Sequence, residues 1–138
     1  MKSIILLIFV DYNLRANNKL IKCEKSLFID NIDELPYPDR HMWDKWIFDL
    51  QQHKVLTERG CPYRCVYCAN HKLAQASQGK YLRHRNPSEV IDEIKYIKKE
   101  YPQTNSIMLY SENAASNVEH FISLCRELKK YNDTLKDK

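Results

Sequence analysis

The longest uninterrupted apolar run in the 138 residues, Ile4–Val10, has seven residues, where a membrane-spanning helix needs about 20. That run follows Met1-Lys2-Ser3 and imitates a signal peptide, yet Asp11, Tyr12 and Asn13 stand where small cleavage-site residues are expected. It reads instead as a buried strand. The cysteines number five, and three of them fall within eight residues. An odd, clustered set does not fit the paired framework of a small secreted disulfide domain. The cytoplasm, where thiolates persist, is therefore the expected compartment. Glycine is scarce: only Gly60 and Gly79 are present, and Gly60 suits either a tight approach of backbone to a metal cluster held by the cysteines that follow or a plain turn. Formal charge is +4, with basic residues crowding His71 to Arg85 and Lys129 to Lys138. Aromatic residues are not interleaved there as a stacking platform, so these runs read as solvated faces rather than a nucleic-acid interface. A phosphate- or carboxylate-bearing substrate stays open.

What is present is Cys61-Pro-Tyr-Arg-Cys65-Val-Tyr-Cys68. This spacing offers a metal cluster three thiolates and withholds a fourth. Iron-sulfur clusters that only carry electrons are closed by four protein ligands, so an open iron points to a substrate or cofactor bound at the metal.

The composition, 43% hydrophobic and 29% charged, supports one globular domain with a modest core. Ile4 to Asp11 and Leu20 to Ile29 flank Asn17-Asn18, which suits a hairpin turn. Asp30 to Arg40, with Pro36 and Pro38, reads as a connector. His41 to Gln52 places Trp43, Trp46, Ile47 and Leu50 at helical spacing, predicting a short amphipathic helix or a packed loop. From Val55 the pattern alternates. Val55 to Thr57 is a short strand whose carboxyl end leads into the cysteine loop, the end at which parallel α/β folds place their ligands. Asn86-Pro87-Ser88-Glu89 predicts a helix start, with Glu89 reaching back to the cap amide. Val90, Ile94, Ile97 and Tyr101 share one face of that helix, and Pro102 ends it. Ser106 to Tyr110 is a second strand. Asn117 caps a second helix expected to bury Phe121, Leu124, Cys125 and Leu128. This order predicts parallel pairing with a right-handed crossover.

The C-x3-C-x2-C spacing, with Tyr67 just before the last cysteine, resembles the radical S-adenosylmethionine superfamily. Val55-Leu56-Thr57-Glu58-Arg59-Gly60-Cys61-Pro62 is similar to the branch often fused to an upstream cobalamin-binding domain, and Leu35-Pro36-Tyr37-Pro38-Asp39-Arg40 to that branch's connector. The likeness runs from Leu35 to Tyr131. It implies an α/β fold, the N-terminal part of a partial (β/α)6 TIM-like barrel over residues 55–138, after a hairpin remnant (1–35) and a connector (36–54). It also implies a 4Fe-4S cluster on Cys61, Cys65 and Cys68, reductive cleavage of S-adenosylmethionine to a 5'-deoxyadenosyl radical, and a one-electron donor of flavodoxin or ferredoxin type. Cobalamin is implied only in the longer family context. Tyr67 would lie beside the adenine, with core packing as its alternative. Glu112 would meet the amino group of S-adenosylmethionine, although Ser111-Glu112-Asn113 lacks the glycines often found there; an exposed strand-end carboxylate is the alternative. Arg83 and Arg85 match a basic strip, read here as surface charge.

An eight-stranded barrel takes roughly 250 residues, so six strand-helix units need roughly 190. Only 70 residues follow Cys68. The expectation is a fragment of such an enzyme or an inactive remnant, with an unpaired sheet edge and an uncovered sheet face. Two other readings compete: a Cys3His zinc module using Cys61, Cys65, Cys68 and His71, and a thiol-disulfide protein using Cys65 and Cys68. Cys23 and Cys125 are expected to be ordinary thiols, Cys125 in the core.

Overall fold

The computed structural model describes residues 13–16, 19–22, 27–43 and 51–136. Alternation along Gln52-His53-Lys54-Val55-Leu56 turns His53 and Val55 to one face of a strand and Lys54 and Leu56 to the other. His53 and Val55 are buried and Lys54 is exposed. This strand is the third in chain order, β3 (Gln52–Leu56), and it pairs in parallel with β6 (Ser106–Tyr110), Gln52 opposite Ser106 and Leu56 opposite Tyr110. The fold is α/β. The parallel pairing and the second strand's bounds match the sequence reading, whereas β3 begins three residues before Val55. Gln52, the last residue of the stretch expected to form a short helix or a packed loop, belongs to β3. A single 3-10 turn covers His41–Trp43, and Trp46, Ile47 and Leu50 lie outside the described residues.

A parallel pair needs a crossover, and α2 (Pro87–Glu100) supplies it. Asn86 caps it by accepting from the Ser88 amide at 3.1 Å, Pro87 takes the first position, and the Tyr101 amide closes the end on the Ile97 carbonyl. The expected return contact from Glu89 is replaced. The Asn86 amide donates to Asp33 Oδ2 at 2.7 Å, so a residue 53 positions earlier satisfies it. Val90, Ile94, Ile97 and Tyr101 all lie in the core, as their spacing predicts, together with Val55, Ile91 and Leu124. Each aliphatic side chain so buried contributes about 2 kcal/mol relative to exposure.

The last helix, α3 (Val118–Lys136), is capped by Asn117, whose side chain accepts from the His120 amide at 3.0 Å. Leu124, Leu128 and Tyr131 follow one another at four- and three-residue spacing and face the core. Cys125 is exposed and Phe121 is 42% exposed, which corrects the expected core roles of both. Adjacent helical residues point about 100° apart, so burying Leu124 turns Cys125 outward.

Two short strands, β4 (Glu58–Arg59) and β5 (Arg83–His84), form an antiparallel ribbon just beyond β3. Between them lies α1 (Asn70–Ala76), which periodicity did not announce. Arg83 and Arg85 are 8% exposed, not surface charges. Arg83 donates to the Ile29 carbonyl at 2.7 Å and stacks on Phe28. Arg85 binds Asp33 at 3.0 Å and Glu93, and Arg40 reaches the same Glu93 at 2.5 Å. Asp33 and Arg40 thus strap the connector to β3 and α2.

Near the N-terminus, β1 (Asn13–Ala16) pairs antiparallel with β2 (Lys19–Lys22), Ala16 opposite Lys19. The hairpin is present, but its ladder is offset from the expected bounds. Ile4 to Asp11, Asn17, Asn18 and Cys23 lie outside the described residues, and Leu27 bridges Gln78 instead of continuing β2. Among the described residues no helix is long and apolar enough to cross a membrane.

Candidate functional site

The parallel pair dictates where the site forms. Both β3 and β6 run toward the same edge, so the segment after Leu56 and the segment after Tyr110 emerge side by side. The first carries Cys61, Cys65 and Cys68, the second Glu112.

Gly60 sets the entry angle of the cysteine loop. Its φ is +93°, and a Cβ there would lie 2.4 Å from the Tyr81 carbonyl oxygen. The tight approach is therefore to another stretch of backbone. All three thiols of the loop are free of disulfides; Cys65 is exposed, Cys61 and Cys68 half-buried. The Cys68 amide donates to the Cys65 carbonyl at 3.0 Å, which turns the chain back between these two cysteines. Cys68 Sγ faces the Asn70 amide and Nδ2, both at 3.5 Å.

Asn70 connects the two loops. Its Nδ2 also donates to Glu112 Oε2 at 3.3 Å, and its Oδ1 accepts from the Tyr81 hydroxyl at 2.6 Å. Burial pushes the Tyr81 phenol above its ordinary value, with the negative charge of Glu112 and of Cys61 and Cys68 adding to the effect. Sequence reasoning missed both Asn70 and Tyr81. The position of Asn70, two residues after the last cysteine, was the available signal. Glu112 is exposed just beyond the end of β6, within hydrogen-bond reach of Asn70.

A second unforeseen group supports the Glu112 loop. Glu58 is 2% exposed, its Oε1 accepts from the Asn113 amide at 2.9 Å, and its Oε2 lies 3.1 Å from His84 Nδ1. The His84 and His120 rings meet at a tilt of 32°, with centroids 4.6 Å apart. His120 Nε2 lies 2.7 Å from the Arg85 carbonyl oxygen, which can only accept, so that nitrogen carries the proton. Burial, then His120, pushes the His84 imidazole below its ordinary value, against the opposing pull of Glu58.

Tyr67 is 89% exposed, which removes core packing as its role, and it sits against Cys65, whose negative charge and hydrogen bond raise its phenol. Among the described residues no three His, Cys, Asp or Glu side chains converge tightly enough to hold one metal ion. Ligands to a single tetrahedral zinc, at about 2.3 Å each, must lie within about 4 Å of one another. The Cys3His reading with His71 has no such arrangement. Three thiols outside any disulfide on one loop are the donor type that an iron-sulfur cluster takes.

Residues 55–136 match the family model described as the Radical SAM superfamily. The chain is 34% identical over 90 residues to an uncharacterized methyltransferase of Pyrococcus horikoshii, covering 63% of this chain and 19% of that protein. It is 30% identical over 91 residues to the anaerobic magnesium-protoporphyrin IX monomethyl ester cyclase of Rubrivivax gelatinosus, covering 64% and 15%. A cytidylyl-2-hydroxyethylphosphonate methyltransferase of Streptomyces wedmorensis is 23% identical over 110 residues, covering 71% and 20%. The chain thus spans a fifth or less of each of these relatives. No solved structure matches. With the family model covering more than half of its length, including the whole cysteine loop, the chain belongs to the radical SAM superfamily.

Proposed function

We propose that this chain carries the cluster- and cofactor-binding part of an enzyme that cleaves S-adenosylmethionine reductively. Cys61, Cys65 and Cys68 would hold a 4Fe-4S cluster. When bound, that group supplies one electron, drawn from a flavodoxin- or ferredoxin-type donor, and an open iron for the cofactor's amino and carboxylate groups. The observation that carries this reading is the hydrogen-bonded link from Cys68 through Asn70 to Glu112. It holds a carboxylate beside the thiols, where the ammonium group of the cofactor would need a partner. Glu112 orients that ammonium, Asn70 fixes the Glu112 side chain, and Tyr67 offers an exposed ring to the adenine. Glu58 holds the backbone of the Glu112 loop from below.

The inner face of the parallel pair supports a further expectation. Met108 is 42% and Tyr110 49% exposed, so water is not excluded from these two side chains. Orientation and exclusion of side reactions depend on such exclusion. The isolated 138-residue chain is therefore expected to release 5'-deoxyadenosine slowly and without coupling to substrate. Methyl transfer and ring closure, the chemistries in the relatives' names, are the candidate outcomes for a longer protein.

Anaerobic reconstitution tests the reading. About four irons and four sulfides per chain are expected, on the stoichiometry of a site-differentiated cube, with an electron paramagnetic resonance spectrum that S-adenosylmethionine perturbs. Stoichiometric zinc without sulfide would overturn it.

A further inference from the structure

The connector and the inner sheet face enclose a cleft of about 290 Å³ whose chemistry none of the roles above uses. Its walls include Ile32 and Leu35 from the connector and Leu56 and Tyr110 from the parallel strands. Two cations, Lys54 and Arg59, also line it. The remaining charges at its base cancel. Arg85 and Arg40 are matched by Glu93 and Asp33 in one closed network. Lys54 and Arg59, by contrast, have no ion-pair partner among the described residues. Among the described residues, the cleft therefore combines an apolar wall with two cations that no carboxylate pairs. Arg59 stands two residues before Cys61, and Tyr110 two before Glu112, so the cleft runs toward the cysteine loop.

We propose that this cleft binds an amphiphilic oxyanion, a molecule with an apolar body and a carboxylate or phosphate group, and that Lys54 and Arg59 hold the anionic end. The apolar body lies along Leu35, Leu56 and Tyr110. Its role as substrate rests on the function proposed for the cysteine loop; its binding does not.

The test is a nuclear magnetic resonance titration of the full 138-residue chain, with and without reconstituted iron. The probes are octyl phosphate, octanoate, octanol and octyltrimethylammonium. Saturable shifts at Leu35, Leu56 and Tyr110 are expected with both anions, about tenfold tighter than with octanol, and the tighter anion identifies the headgroup. Lys54→Gln and Arg59→Gln should each weaken anion binding about threefold, and the double variant about tenfold, as exposed charge contacts of this kind do. Both side chains are solvent-exposed, so neither variant threatens the fold. Octanol binding as tightly as the anions, shifts outside the cleft, or unchanged affinity in the double variant would each overturn the proposal. A chain that takes up no iron yet binds the anions sinks only the cluster reading, and the reverse result sinks only this one.

Discussion

Replacing Gly60 by alanine perturbs the cysteine loop at the point where it is most tightly held. A Cβ at Gly60 would meet the Tyr81 carbonyl oxygen at 2.4 Å and its carbon at 2.9 Å. Both are backbone atoms, so no rotamer change relieves the clash. Gly79 is the internal control: its φ is +98°, but its nearest neighbours, atoms of Phe28, are 3.8 Å away, an ordinary contact. Holding a side chain at such a φ costs about 1–3 kcal/mol, and forced overpacking adds about 1–3 kcal/mol. Gly79→Ala should therefore destabilise by about 1–2 kcal/mol and Gly60→Ala by about 3–5 kcal/mol. Urea unfolding with unchanged m-values measures the difference. A second readout follows from geometry. Pushing Tyr81 aside draws its hydroxyl from Asn70, now 2.6 Å away, so iron uptake should fall in the Gly60 variant and persist in the Gly79 variant. Equal destabilisation within about 0.5 kcal/mol, the limit to which independent effects are usually separable, would refute the close-approach argument.

Glu93→Gln should cost about 3–5 kcal/mol in urea unfolding, because it leaves the Arg40 and Arg85 guanidinium groups buried without their shared carboxylate. Asp92→Asn, which removes only the exposed Lys95 pair, should leave the urea midpoint nearly unchanged. His84 makes stability depend on pH. Its folded pKa is lowered from 6.5, so the unfolded chain takes up the proton more readily; stability is flat above that value and is lost as pH falls below it. His84→Gln should flatten thermal stability between neutral and mildly acid pH, and an unchanged profile would contradict the assignment. Cys61→Ala, Cys65→Ala and Cys68→Ala should each abolish iron binding, whereas the exposed Cys125→Ala should retain it, as iron and sulfide analysis will show.

What the sequence made legible was local and periodic. The spacing of Val90, Ile94, Ile97 and Tyr101 announces a buried helical stripe, and Asn86-Pro87 its start, because propensity, cap and packing agree there. The apolar run at Ser106 to Tyr110 likewise has a single reading. What stayed hidden depends on contacts far apart in the chain. Asp33 takes the Asn86 amide from 53 positions away, and Glu93 neutralises Arg40 across the same separation. No local pattern shows that Arg83 and Arg85 are buried, since a run of basic residues looks the same whether its partners are water or carboxylates. The helix after Cys68 carries no buried residue and no side-chain cap, so neither periodicity nor capping could reveal it.

The site lies between these cases, and the parallel register explains why. Leu56 opposite Tyr110 places both strand exits at one edge, so a motif a few residues beyond each must share that edge whatever the intervening sequence. An antiparallel pair would have sent the two loops to opposite ends. A one-residue slip would have turned Lys54 and Leu56 toward α2 and moved Val55 out of the core. The burial of Val55 therefore fixes the register, and the register brings Glu112 within reach of Asn70 and Cys68. Reading the end of the sheet from sequence required only the hydrophobic pattern of two strands. Finding Asn70 as the residue that joins the loops required the distances themselves, 3.5 Å to one side and 3.3 Å to the other.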